Sequence, residues 1–314
     1  MARSIGSLLH RRVAPRTWWL LAIVLLVVVT VAVPPVKAQN RLNHMIGVLE
    51  GGGVAVGTII SALTPLSTIE ALRVLPLDWV FIDMEHGPFE PRTLRDIVLA
   101  FRAADGTFPI TPIVRVAANC SEIQYNQWQV KQVLDVGAAF GVLLAHCDMR
   151  EWTEEGVIAM RYPPFNNDDS RKPRGLRGFG PAGAGIWGLT TAQYVQVADV
   201  WPLDANGELL FIPMIESRGA INRLESILKV PGVGAAFIGP ADLHADMGFA
   251  GQSGVPEVEA QIQRALGIAQ RLGIPIAITT TAADVQSRID QGFRIVTIGG
   301  SPSALADILR ALGR

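Results

Sequence analysis

From Leu42 onward the chain repeats one alternation: a short apolar, β-branched run followed by a longer amphipathic stretch, eight times over. The runs Val54–Ile60, Trp79–Met84, Thr111–Val116, Gly141–Ala145, Leu209–Ile215, Ala235–Ile238, Pro275–Thr279 and Phe293–Ile298 predict strands. Stretches such as Pro91–Ala104, Gln127–Val136, Ile221–Lys229 and Val258–Leu272 predict the helices between them. Near-continuous hydrophobic strands interleaved with helices indicate a parallel sheet covered on both faces. Eight of them with no domain linker predict a closed (β/α)8 TIM barrel over residues 39–314. An open doubly wound sheet is the alternative, and it would place a glycine-rich phosphate turn after its first strand. Gly51-Gly52-Gly53 precedes that strand and predicts an ordinary turn.

Composition fits one large core, since 49% of the 314 residues are hydrophobic and such barrels commonly use about 250 residues. A net charge of −1 with only 18% charged residues offers no basic face for nucleic acid, so that class of partner is excluded.

The first residues read differently. Arg3, Arg11, Arg12 and Arg16 precede an apolar run from Trp18 to Val33, and Val36-Lys37-Ala38 offers a small-residue cleavage site. Residues 1–38 are therefore expected to be a signal peptide of an exported, periplasmic or secreted protein, cut after Ala38. An uncleaved membrane anchor is the alternative. Arg11-Arg12 matches a twin-arginine signal poorly. Cys120 and Cys147 each follow a strand, and the two strands are neighbours. A bridge across the barrel mouth is open to them in an oxidising compartment, with free thiols as the alternative. The long glycine-rich connection from Arg161 to Trp201 suits a lid, a binding loop or an oligomer contact.

The site of such a barrel forms at the C-terminal ends of its strands. Strand two runs into Asp83, Glu85 and His86, and strand three ends near Arg115. Strand four is preceded by Asp135 and followed by His146 and Asp148. Glu216 and Asp242 follow neighbouring strands, and two carboxylates with open positions suit a hard ion such as Mg2+ or Mn2+, with Co2+ also allowed. A solvated rim or ion pairs with Arg218 would be the structural reading of the same pair. His86 is a candidate general base, because an ordinary imidazole titrates near neutrality. Lys37, Lys131, Lys172 and Lys229 are the only lysines, and none follows a strand directly. A Schiff-base route is therefore disfavoured.

Six motifs occur in order: Asp83-Met84-Glu85-His86-Gly87-Pro88; Pro112-Ile113-Val114-Arg115-Val116; Lys131 to Ala138; Arg161-Tyr162-Pro163-Pro164 with Gly175-Leu176-Arg177-Gly178; Ile215-Glu216-Ser217; and Phe237-Ile238-Gly239-Pro240-Ala241-Asp242-Leu243. Together they resemble the HpcH/HpaI aldolase/citrate lyase family from about Leu42 to the C-terminus. The resemblance implies a metal-dependent lyase cleaving a 4-hydroxy-2-oxo-acid to pyruvate and an aldehyde through a metal-stabilised enolate. It implies Glu216 and Asp242 as metal ligands, His86 as base, Asp135 raising the basicity of His86, and Arg115 steadying developing charge and substrate oxygens. The backbone at Ala241, beside Asp242, would contact the substrate carboxylate. A homo-oligomer, a hexamer with exchanged C-terminal helices, is also implied.

The chain departs from the family pattern in places. Met214 stands where glutamine is common, His244 where a small serine is, Phe165–Arg174 is long, and an export signal is atypical. Two further functions compete. A citrate- or malyl-type acyl lyase would want a basic cluster for coenzyme A, which the sequence lacks. An exported binding protein without turnover would account for Met214.

Overall fold

The computed structural model describes residues 41–163 and 173–314. The expected signal peptide and residues 165–172 of the expected long loop lie outside the described residues. The strands are β1 (Ala55–Ser61), β2 (Trp79–Asp83), β3 (Thr111–Arg115), β4 (Gly141–Leu144), β5 (Val200–Trp201), β6 (Leu209–Ile215), β7 (Ala236–Ile238), β8 (Ile276–Thr280) and β9 (Ile295–Ile298). All pairings are parallel. β1 pairs with both β2 and β9, and β4 pairs with β6, so eight strands close into a barrel. The eight expected strands are present with bounds within two residues of those expected. The two-residue β5, which nothing in the hydrophobic pattern announces, is appended to the start of β6.

The interior is a packed core. Phe81 on β2 meets Phe237 on β7 edge to face at 5.7 Å. These strands are not neighbours in the sheet, so the contact crosses the barrel, and each buried ring contributes about 1.5–3 kcal/mol. The Arg115 guanidinium lies 5.2 Å from the Phe81 ring centroid, which places the change from apolar core to polar mouth at the last residue of β3.

The other end is closed by the helix His44–Glu50, whose Met45 and Ile46 are fully buried. Asn43 caps it, accepting from the Ile46 N–H at 3.2 Å. The Met45 N–H reaches Thr111 Oγ1, at the start of β3, at 2.9 Å. Gly52, at φ 71°, makes the turn into β1, a conformation glycine adopts without steric cost. The glycine triplet is thus the expected turn.

The connection after Arg161 behaves as packing at the β4 start. Trp187 stacks on Phe140 at 4.2 Å and donates to the Ala138 carbonyl at 2.9 Å, both residues lying just ahead of β4. Leu176 N–H bonds Ile158 O, in the last turn of the helix Arg150–Met160. The described part of this segment lies against the helix layer, so it is no lid over its own mouth.

Candidate active site and metal centre

An apolar barrel admits charge cheaply only at its ends, and the strand termini use that freedom. Arg115 is the hub. Its Nε and Nη2 bond Asp83 Oδ1 and Oδ2 at 3.0 and 2.7 Å, a two-pronged pairing that only a guanidinium makes. Its Nη2 also donates to His86 Nδ1 at 2.8 Å. Its Nη1 lies 2.7 Å from Glu85 Oε2, but off the donor directions, so that buried oxygen forms an ion pair and no hydrogen bond. Burial works against the charge on Arg115, yet the Asp83 bonds and the fields of Asp83, Glu85 and Glu216 leave its pKa above the ordinary value. Asp83 is likewise opposed by burial, and its Arg115 bonds and two backbone N–H donors hold it below the usual carboxylate range.

Glu216 follows β6 and is 1% exposed. Its Oε2 accepts the His146 N–H at 2.9 Å. Burial pushes its carboxyl up; the His146 contacts oppose this, the Asp242 and Glu85 charges add to it, and the result is a pKa of about 7. A side chain at position 239 would overlap Glu216, so Gly239 lets the Gly239–Asp242 turn close over that carboxylate. Asp242 accepts no hydrogen bond from any described residue. Of the two alternatives, a solvated rim or ion pairs with Arg218, the ion pairs are absent among the described residues; the Arg218 backbone N–H bonds Asp246. Ala241 is exposed in the first turn of the helix Pro240–Asp246, where N–H groups lack helical partners.

This arrangement fits a divalent ion. Asp83, Glu85, Glu216 and Asp242 gather at one end of the barrel against a single guanidinium, Glu216 is repelled by Asp242 and Glu85, and no described cation pairs with Asp242. All-oxygen donors of this kind suit Mg2+ or Mn2+. Asp83, Glu85 and His86 also have ligand atoms within 4.8 Å of one another, but Arg115 touches all three and already serves as their cation.

Asp135 requires a correction. It sits on the π-helical turn Gln132–Val136, in the helix layer ahead of β4. Its Oδ1 accepts from Tyr162 Oη at 2.9 Å and from Arg177 Nη2 at 2.5 Å. No contact joins it to His86, whose partners are Arg115, Asp83 and Glu85. A residue that precedes a strand emerges at the end opposite the mouth, so within one chain Asp135 does not orient His86. Arg177 is 2% exposed and Tyr194 Oη, 2.8 Å from its Nη2, completes this buried group.

Two further expectations concern side chains near Glu216 and Asp242. Met214 is buried two residues before Glu216, which puts it on the same face of β6. His244 is buried with Nδ1 2.6 Å from the Pro240 carbonyl and Nε2 without a hydrogen bond. Lys131 lies on a helix, and Lys229 at a helix end pairs with Glu225. Cys120 and Cys147 form a disulfide, with Cα atoms 5.0 Å apart, joining the segments that follow β3 and β4. His146, just before it, adopts φ 51°; backbone geometry of that kind leaves no mark in sequence.

The comparisons agree with this geometry. The HpcH/HpaI aldolase/citrate lyase family model matches residues 61–306. The chain is 37% identical over 246 residues to a hydroxypyruvate/pyruvate aldolase of Agrobacterium fabrum, covering 78% of this chain and 83% of that protein. It is 33% identical over 265 residues to a 4-hydroxy-2-oxo-heptane-1,7-dioate aldolase of Salmonella paratyphi A, covering 84% and 90%. The crystal structure of an HpcH/HpaI aldolase/citrate lyase family protein from Burkholderia cenocepacia J2315 superposes with a TM-score of 0.66 at 28% identity, covering 83% of this chain and 92% of that one. With the motifs, the closed barrel and its charged mouth all in agreement, the chain belongs to the HpcH/HpaI aldolase/citrate lyase family.

Proposed function

We propose that the protein is a divalent-metal-dependent carbon–carbon lyase that cleaves a 4-hydroxy-2-oxo-acid to pyruvate and an aldehyde, with Mg2+ or Mn2+ held by Glu216 and Asp242. The observation that carries this reading is the raised Glu216 carboxyl beside Asp242 and Glu85, within the field of Arg115. When bound, the ion supplies Lewis acidity to the 2-oxo and carboxylate oxygens. Arg115 places a fixed positive charge where negative charge develops on the 2-oxo oxygen. The N–H of Ala241 is free to receive a substrate carboxylate oxygen. His86 is the base, and its Nδ1 lone pair is engaged by Arg115 at 2.8 Å. A substrate oxygen arriving at Arg115 competes for that N–H and frees the lone pair: in cleavage it takes the C4 hydroxyl proton as the C3–C4 bond breaks and returns it to C3 of the enolate, and in exchange it takes a C3 proton of pyruvate.

The test needs no natural substrate. The metal-loaded protein should exchange the methyl protons of pyruvate in heavy water, chelation should stop it, and His86→Ala should slow it by about 100- to 10,000-fold. Undiminished exchange in His86→Ala would move the base elsewhere. No exchange in the wild type would favour the binding-protein reading, to which the apolar Met214 beside Glu216 lends support.

We also propose export, with residues 1–38 removed. The Cys120–Cys147 disulfide supports it, because such bonds persist in oxidising compartments. Among the described residues no helix is long and apolar enough to cross a membrane. Full-length protein recovered only from the cytosol would overturn this. A homo-oligomer is proposed with it, supported by exposed Leu63, Leu66, Tyr125 and Trp128; a monomeric mass by light scattering would refute it.

A further inference from the structure

The turn after β4 is held in a conformation that L-residues avoid, and it is held from several sides. His146 has φ 51°. Its N–H is fixed on Glu216 Oε2. Cys147 is bonded to Cys120 and donates its N–H to the Met214 carbonyl at 3.1 Å. Asp148 Oδ1 accepts from Ser217 Oγ at 2.8 Å, and Ser217 in turn caps the helix Arg218–Leu228. Strained backbone fixed by so many ties is a reason to look for function. The His146 imidazole stands 3.9 Å from Glu216 Oε2, 42% exposed, and neither ring nitrogen bonds any described residue. A histidine kept for packing would be covered and satisfied.

Its place is informative. β4 lies between β3 and β6, so His146 follows the strand flanked by the one that ends at Arg115 and the one that runs into Glu216, while His86 follows β2 on the far side of β3. On the aldolase reading, the carboxylate and 2-oxo oxygens of the substrate are taken by the cation, Arg115 and Ala241, and the C3 proton by His86. The substrate oxygen left without a donor is the C4 oxygen, and His146 is a half-exposed side chain at the mouth with neither ring nitrogen hydrogen-bonded to a described residue.

We propose that His146 is a further substrate-contacting residue whose ring N–H donates to the C4 oxygen, the hydroxyl of the oxo-acid and the carbonyl oxygen of the aldehyde. The contact rests on the aldolase reading, and the neutral ring suffices for it. His146→Asn and His146→Gly test it, since both residues tolerate the left-handed backbone and so keep the N–H on Glu216. Three quantities are measured: Mn2+ binding without substrate, deuterium exchange into pyruvate alone, and aldol addition of pyruvate to glycolaldehyde. The first two should stay within about twofold of wild type, while kcat/KM for the aldehyde in His146→Gly falls on the order of 100-fold, as for other donors to a developing oxyanion. Addition that falls no further than exchange would overturn the assignment, as would Mn2+ affinity that falls in step with addition. A wild type that exchanges nothing would overturn the aldolase reading, and this contact with it.

Discussion

Replacing Glu216 by glutamine should make the metal-free protein more stable at pH 8. Burial, reinforced by Asp242 and Glu85, lifts the folded-state carboxyl from 4.5 to about 7. Between those values the native protein holds a proton that the unfolded chain has released. Stability therefore falls as pH rises from 4.5 to 7 and stays low above that. Two and a half units at about 1.4 kcal/mol each make the cost roughly 3–4 kcal/mol. Glutamine removes the charge and keeps an amide oxygen for the His146 N–H. In chelator the variant should unfold roughly 6–12 °C higher than wild type at pH 8 and at nearly the same temperature near pH 4. Excess Mg2+ or Mn2+ should raise the wild-type midpoint and leave the variant unmoved. Calorimetry or thermal-shift scans across this pH range decide it. Parallel pH profiles for the two proteins, or a variant less stable than wild type at pH 8, would refute the account of the buried carboxylate.

The Asp135–Arg177 pair gives a second expectation: Asp135→Ala leaves a buried guanidinium unpaired and should cost about 3–5 kcal/mol in urea denaturation, while adding Arg177→Met should recover much of that loss. Cys120→Ser with Cys147→Ser should lower stability by about 3–4 kcal/mol for a loop of this length, and in the wild type neither thiol should react with iodoacetamide until the protein is both reduced and unfolded.

Much of this was legible in the sequence because burial on both faces leaves strands as unbroken apolar runs. β6, Leu209 to Ile215, is buried along its whole length and could be bounded from sequence to the residue. The charged residues that follow such runs could be placed at the mouth for the same reason, and Glu216 lies within the field of Asp242. Asp135 shows the limit. Its nearness in sequence to β4 suggests the mouth and the resemblance adds a role beside His86, yet a residue ahead of a parallel strand belongs to the other end. Arg177 and Tyr162, which hold it, lie 42 and 27 residues away, and no periodicity links them. The left-handed backbone of His146 depends on ties to Glu216, Cys120 and Ser217 that exist only once the barrel has closed.

The ladders around the barrel are unequal. β1–β2 and β2–β3 each carry five residue pairs, whereas β3–β4 carries two, Val114↔Val142 and Arg115↔Leu143, and β6–β7 carries two, Met214↔Phe237 and Ile215↔Ile238. These are the seams at which the cylinder is most easily pried apart. The first is stapled just beyond its last rung by Cys120 and Cys147. The second has no covalent staple, but Glu216 and Asp242 stand on its two sides, and an ion gripped by both would clamp it. The segments after β3, β4, β6 and β7 would then move as one rigid arc, leaving breathing of the wall to the β1–β2 and β8–β9 side.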